Sequence, residues 1–238
     1  MEQFTFFARR LLRRYGFDVV RDYGGPTARR MLFVARYNIN LLFDVGANVG
    51  QYAIMMRQMG YAREIVSFEP LAEAFAELKA KADRDANWQV IHSALGETAG
   101  TEKINVSSLN SFSSFLEITP MIAEVNRDSS VVAQQTIQIQ RLDAIFDQYY
   151  RPGDSVLVKI DTQGFEPQVI LGAQGVLEQI CGFQLEMSLV PLYKGEMLLP
   201  EMVQFMRARG YTLVSIEPGY IDPRTGQMLQ VDGLFMRL

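Results

Sequence analysis

The chain has 238 residues, 48% of them apolar, with 23 Lys and Arg against 27 Asp and Glu; that suffices for one sizeable core and excludes a disordered, collagen-like or coiled-coil chain. One cysteine, Cys181, and one histidine, His92, exclude a disulfide framework and a Cys-based zinc site, so any metal would be held through carboxylates. No apolar run approaches the roughly 20 residues of a membrane span, and the expectation is a soluble, cytoplasmic protein.

Phe4, Phe7, Ala8, Leu11, Leu12 and Tyr15 fall on one stripe of a helix, with Arg9, Arg10, Arg13 and Arg14 opposite and Gly16 at its end. Residues 1–38 carry eight Arg against Glu2, Asp18 and Asp22. This basic helical extension reads either as a helix packed on the body or as a contact for an anionic membrane, an acidic partner or a second copy of the chain. A second short helix is expected from Pro26 to Tyr37. The body, residues 39–238, is acidic, which argues against a nucleic-acid groove across it.

From Asn40 onward, short apolar runs alternate with amphipathic segments, the pattern of an α/β fold with a parallel sheet and helices on both faces. Strands are expected near Leu41 to Val45, Glu64 to Phe68, Gln89 to His92, Ser155 to Ile160, Gly182 to Met187, Tyr211 to Ile216 and Gly233 to Leu238. Helical faces lie at Val49, Tyr52, Ala53 and Met56 and again at Leu71, Ala74, Phe75 and Leu78. The stretch from about 96 to 140 breaks the rhythm and reads as an insertion capping one end of the sheet.

The turn Asp44-Val45-Gly46-Ala47-Asn48-Val49-Gly50-Gln51-Tyr52 joins the first strand to the first helix, at the carboxyl edge where open α/β sheets bind ligands. Its glycines admit close approach, but the dinucleotide fingerprint G-x-G-x-x-G is absent. With Asp44 ahead of it, the turn suits a cationic ligand better than a phosphate. Glu69 ends the second strand, followed by Pro70, and a carboxylate there can accept both hydroxyls of a ribose. Ser93 and Ala94 follow the third strand and are small enough to leave room for a purine.

These segments resemble the FkbM-type methyltransferases, within the class I S-adenosylmethionine-dependent enzymes. The resemblance rests on Asp44 to Gly50, Phe68-Glu69-Pro70, Ser93-Ala94-Leu95-Gly96 and, above all, Val158-Lys159-Ile160-Asp161-Thr162-Gln163-Gly164-Phe165-Glu166 running to Leu171-Gly172-Ala173. It implies a Rossmann-like seven-stranded sheet whose last strand is antiparallel, S-adenosyl-L-methionine as methyl donor, and O-methylation of a hydroxyl on a sugar, glycoconjugate or polyketide-like small molecule. Asp44, Gly46, Ala47, Asn48, Gly50, Gln51 and Tyr52 would then serve the methionine and ribose end of the cofactor. Glu69 with Pro70 would hold the ribose, and Ser93 with Ala94 would border the adenine. Where many members have a Glu, this chain has Gln163; if that side chain reaches the site, one carboxylate of the family pattern is missing.

Methyl transfer to a neutral hydroxyl asks for a positioned base. Asp161 is the candidate, with Lys159 two residues earlier on the same face and Glu186 near the end of the next strand. Asp161 and Glu186 would act as base and orienting partner, or as two oxygen ligands of a divalent cation. A structural role for Asp161, capping the turn before Gly164 with Lys159 paired to it, carries nearly equal weight. His92 is expected beside the adenine or in the core. Ser113, Ser114, Glu166 and Tyr193 are candidate acceptor-side residues. The competing readings are a non-catalytic S-adenosylmethionine-binding or scaffolding protein and a nucleotide-dependent oxidoreductase, the latter disfavoured by the missing third glycine.

Overall fold

The computed structural model describes residues 25–108, 113–125 and 130–238. The amphipathic helix expected at Phe4 to Tyr15 lies outside the described residues. In chain order the elements are α1 (Pro26–Arg36), β1 (Leu41–Val45), α2 (Gln51–Gln58), β2 (Glu64–Phe68), α3 (Ala72–Ala82), β3 (Trp88–Ile91), β4 (Ala94–Leu95), β5 (Gly100–Ser107), α4 (Pro120–Val125), β6 (Val131–Gln140), α5 (Leu142–Ile145), β7 (Val156–Ile160), α6 (Glu166–Leu171), β8 (Ile180–Ser188), α7 (Leu199–Arg207), β9 (Thr212–Pro218) and β10 (Gln230–Met236).

Seven strands form one sheet in the order β3-β2-β1-β7-β8-β10-β9. The last strand, β10, runs antiparallel to both of its neighbours, and the other pairings are parallel. The chain moves outward from β1 in one direction through β2 and β3, then returns to place β7 on the other side. The junction of β1 and β7 is therefore the topological switch point, where a crevice opens at the strand ends.

All five residues of β1 and of β7 are buried, as expected for central strands covered on both faces. Leu41, Phe43 and Val45 join Val156, Val158 and Ile160 in one core cluster. Leu42 and Leu157 belong to the cluster on the opposite face, with Val34 of α1 and Ala53 and Met56 of α2. Because side chains alternate along a strand, Asp44 and Lys159 fall on this second face, under α1 and α2.

The expected insertion forms its own three-stranded sheet, in the order β4-β6-β5. Ile104, Ile137 and Ile139 pack with Ala94, Leu71 and Ala74, which seats this small sheet at the start of α3. The last strand begins earlier than expected, at Gln230 rather than Gly233. Its first turn of sequence is polar because Gln230 and Asp232 face a cavity, so the apolar signal starts late.

Of the extension expected over residues 1–38, α1 is packed into the body. Arg30, 5% exposed, pairs with Glu217 of β9 and lies 5.3 Å from the centroid of the Tyr52 ring. A buried guanidinium beside one carboxylate and one aromatic face is stable only while both remain. Glu217→Gln removes the counter-ion and is expected to cost about 3 kcal/mol of unfolding free energy, read by urea denaturation. A change inside about 0.5 kcal/mol, the range of ordinary surface substitutions, would show that this pair does not hold α1.

Candidate active site

The turn after β1 is drawn tightly onto the ends of β2 and β7. The amides of Gly46 and Ala47 donate to the Phe68 carbonyl at 3.1 and 3.0 Å, and the Asp161 amide donates to the Val45 carbonyl at 3.0 Å. Gly46 has φ +73°, and a Cβ there would stand 1.9 Å from the Asp161 carbonyl oxygen. Both the backbone conformation and the contact require glycine. Asn48 is also left-handed, at φ 49°, and its amide donates to Glu69 Oε2 at 2.8 Å. The other oxygen, Oε1, accepts from the Leu71 amide at 2.8 Å. Glu69 is thereby clamped between two turns, and burial pushes its carboxyl up to about 7 against the pull of those two amides.

Behind this turn runs a polar row across the second face of the sheet. Register places Ser67, Asp44, Lys159 and Gln184 side by side on β2, β1, β7 and β8. Trp88 Nε1 donates to Ser67 Oγ at 2.9 Å, and Ser67 Oγ donates to Asp44 Oδ2 at 3.2 Å. Lys159 Nζ stands 3.4 Å from Asp44 Oδ1, 3.4 Å from Asp161 Oδ2, and donates to the Gly46 carbonyl at 3.3 Å. Burial alone would lower the lysine, but Asp161 and Asp44 push it up, so it stays an ammonium. Tyr52 hydroxyl donates to Gln184 Oε1 at 2.7 Å, and its ring lies beneath the lysine, 5.4 Å from Nζ.

Asp161 and Glu186 converge on one amide. Gln163 Nε2 donates to Asp161 Oδ1 at 2.9 Å and to Glu186 Oε2 at 2.5 Å, while Gln163 Oε1 accepts from the Tyr193 hydroxyl at 2.6 Å. Gln230 Nε2 adds a second donor to Glu186 Oε2 at 2.8 Å. Burial first, then Asp161, Asp232 and Glu166, hold Glu186 well above the usual carboxylate range. Asp232, opposite Glu186 in register, is pushed up to about 6 by burial and by Asp161.

These groups wall a cavity of about 570 Å³ at the switch point. Gly46, Ala47, Asn48, Gln51 and Tyr52 line one side of it, with Glu69, Pro70 and Ala94 beyond. Lys159, Asp161 and Glu186 line the inner end, and Ser113 of the insertion reaches the rim. The remaining candidates stand outside this lining. Asp44 is fully buried and touches the site through Lys159. Gly50 packs on Trp88 and Leu78. Ser93 Oγ donates to the carbonyls of Ala94 and Gln138 at 2.8 and 3.2 Å, and Ser114 Oγ donates to the Gln163 carbonyl at 2.7 Å. Glu166 accepts from the Thr162 amide at 2.8 Å and closes its own turn, and Tyr193 reaches inward only through Gln163.

His92 differs from expectation. It is exposed, stacked on Phe75 with centroids 4.6 Å apart, with Nε2 3.0 Å from the Pro70 carbonyl, and so sits neither in the core nor in the lining. Sequence reasoning missed Arg30, Gln184, Tyr220, Gln230 and Asp232, all of which line the cavity. Nothing in their spacing marks them; the polar residues interrupting the apolar rhythm of β8 and β10 were the available signal.

A model of the methyltransferase FkbM domain matches residues 44–213, a span that includes the Gly46 turn, Glu69 and the Asp161–Glu186 cluster. The chain belongs to the FkbM methyltransferase family. Among solved structures, the methyltransferase FkbM from Methylobacillus flagellatus KT is similar at 12% identity and a TM-score of 0.50, covering 82% of this chain and 44% of that one. This FkbM-family chain thus spans less than half of that protein's length. An rRNA methylase from Streptococcus thermophilus aligns at 9% identity and a TM-score of 0.48, over 92% of this chain and 99% of that one. The 1,6-didemethyltoxoflavin-N1-methyltransferase of Burkholderia thailandensis, solved with 1,6-didemethyltoxoflavin and S-adenosylhomocysteine, aligns at 10% identity and a TM-score of 0.47, over 91% and 79%. A comparison with curated proteins finds no match. The seven-stranded sheet with its antiparallel last strand is the class I methyltransferase fold. Among the described residues, no helix is long and apolar enough to cross a membrane, and no group of three or more His, Cys, Asp or Glu side chains is placed to hold a metal ion.

The buried acids fix the sign of the pH dependence of this FkbM-family fold. Glu69 and Glu166 are pushed up to about 7 and Asp232 to about 6, in each case first by burial. The folded protein therefore binds protons that the unfolded chain has already released, and stability falls as pH rises through that window. Asp85, Asp143 and Asp222 are held low by arginines, so their opposite effect lies at lower pH. The melting temperature of the unliganded protein is expected to fall by several degrees between about pH 5.5 and pH 7.5. Thermal melts that rise across that interval would refute the assignment.

Proposed function

We propose that this chain is an S-adenosylmethionine-dependent O-methyltransferase whose acceptor is a hydroxyl of a sugar, glycoconjugate or polyketide-like small molecule. The observation that carries the reading is the placement of Glu69, 2.8 Å from the Asn48 amide of the Gly46–Gly50 turn, in one cavity with Asp161. A carboxylate at that strand end can exchange its two amide donors for the two hydroxyls of a ribose. Gly46, Ala47 and Ala94 leave the cavity wall low where a nucleoside would lie.

Charge supports the same reading. Glu69, Asp161, Glu186 and Asp232 line the cavity against Lys159 and Arg30, and both cations are already paired, with Asp44 and Asp161 and with Glu217. With both cations committed and the other ionisable groups of the lining acidic, the cavity offers a phosphate no free partner. When bound, the cofactor supplies an electrophilic methyl group on a sulfonium. Lys159 and Gln163 hold the Asp161 carboxyl at the inner end of the cavity, where its side chain keeps 35% of its exposure. From there it can take the proton of an acceptor hydroxyl.

Calorimetric titration with S-adenosylhomocysteine tests the cofactor half of the reading. Glu69→Ala is expected to weaken binding at least about tenfold, or about 1.4 kcal/mol. Because ribose hydroxyls need an ionised acceptor and Glu69 is pushed up to about 7, affinity in the wild type should also decline as pH falls below about 7. Incubation with labelled methyl donor and a panel of sugars, glycolipids and hydroxylated metabolites tests the acceptor half. Asp161→Ala should lower transfer about 10²-fold or more while leaving the S-adenosylhomocysteine titration within about twofold. Absence of any S-adenosylhomocysteine binding would refute the whole reading.

A further inference from the structure

Two arrangements of Asp161 and Glu186 were compatible with the sequence, a base with its orienting partner or two oxygen ligands of a cation. Gln163 discriminates between them. Its backbone is left-handed, at φ 57°, a conformation that a residue with a side chain adopts only when its surroundings enforce it. Here both ends of the residue are held. The Gln163 carbonyl accepts from the buried Ser114 hydroxyl at 2.7 Å. Its side-chain oxygen accepts from Tyr193, which is itself fully buried.

That leaves the amide nitrogen directed between the two carboxylates, at 2.9 Å from Asp161 Oδ1 and 2.5 Å from Glu186 Oε2. The amide nitrogen donates to both acids and its oxygen accepts from the tyrosine hydroxyl, so the donor end of the amide faces the pair. A hard divalent cation takes oxygen ligands at about 2.0–2.6 Å, and an amide nitrogen, carrying two hydrogens and no available lone pair, offers it none.

We propose that Gln163 is a positioning residue whose amide nitrogen fills the place between Asp161 and Glu186 that a divalent cation would need, so that the pair works without metal. This rests on the methyl-transfer reading for what the pair then does. With Oδ1 of Asp161 engaged by Gln163, Oδ2 is the oxygen left beside Lys159, 3.4 Å away, and it becomes the proton-accepting atom. Gln163 thus fixes which oxygen of Asp161 faces away from the amide. A glutamate in its place would supply a third carboxylate and the ligand set the cation lacks.

The test is a Mn²⁺ titration of the full chain, followed by calorimetry and by loss of the free-ion paramagnetic resonance signal. Wild type is expected to show no saturable site up to about 1 mM Mn²⁺. Gln163→Glu is expected to acquire a site at least about tenfold tighter than that limit, and the double substitution with Asp161→Asn is expected to lose it. Gln163→Ala opens the gap without adding charge and should bind more weakly than Gln163→Glu but more tightly than wild type. It decides the question if the glutamate variant does not fold. Saturable Mn²⁺ binding by wild type that Asp161→Asn abolishes would overturn the proposal, because it would mean that the amide turns its oxygen to the ion. Failure of both Gln163 variants to gain a site, with S-adenosylhomocysteine affinity equal to wild type, would overturn it as well. Since Mn²⁺ is read without cofactor or acceptor, a negative S-adenosylhomocysteine titration would remove the methyl-transfer reading and leave the metal result standing.

Discussion

Lys159 is the constraint on which the site is built. Its ammonium is buried at the junction of the two central strands, and three oxygens within 3.4 Å keep it charged there: a carboxylate oxygen of Asp44, one of Asp161 and the Gly46 carbonyl. A charge taken so far out of water is tolerable only with such a shell. The shell also does structural work, because each of its members comes from a different part of the chain. Asp44 belongs to β1, Gly46 to the turn that lines the cavity, and Asp161 to the end of β7. The same lysine therefore ties together the depth of the turn and the position of the candidate base.

Much of this was legible in the sequence, and the reason is burial. β1 and β7 are covered on both faces, so they appear as short unbroken apolar runs in which a charged residue is conspicuous. Asp44 and Lys159 stand out for that reason, as does Glu69 at the close of the next run. Glycine at 46 was readable because only glycine tolerates both the left-handed backbone and the Asp161 carbonyl at that distance.

The rest of the cavity wall was hidden for the opposite reason. Gln230 and Asp232 sit in a strand whose inward positions are polar, so alternation fails where the site is, and the strand seems to start at Gly233. Arg30 was assigned to a basic extension because its neighbours are arginines, and nothing local distinguishes it from the exposed Arg29. Contacts distant in sequence separate them: the pairing with Glu217, 187 residues away, and the Tyr52 ring. His92 was placed beside the adenine or in the core because it precedes the small residues Ser93 and Ala94, but its ring is exposed and stacked on Phe75. Gln163 was noticed as a departure from a resemblance, while its contacts, with partners on β8 and the loop that follows it, had to be seen in three dimensions.

The cavity wall has two origins. The turn at Gly46, the Glu69 clamp and the Gln163 bridge all lie inside the segment that defines the family, residues 44–213. Arg30 lies before that segment, and Tyr220, Gln230 and Asp232 lie after it, yet all four line the same chamber. The flanks of the chain are thus joined over the inner end of the pocket by the link from α1 to β9. Through Gln230, which donates to Glu186 at 2.8 Å, those flanks also hold a member of the inner cluster, so the chamber is completed by chain that the family segment does not contain.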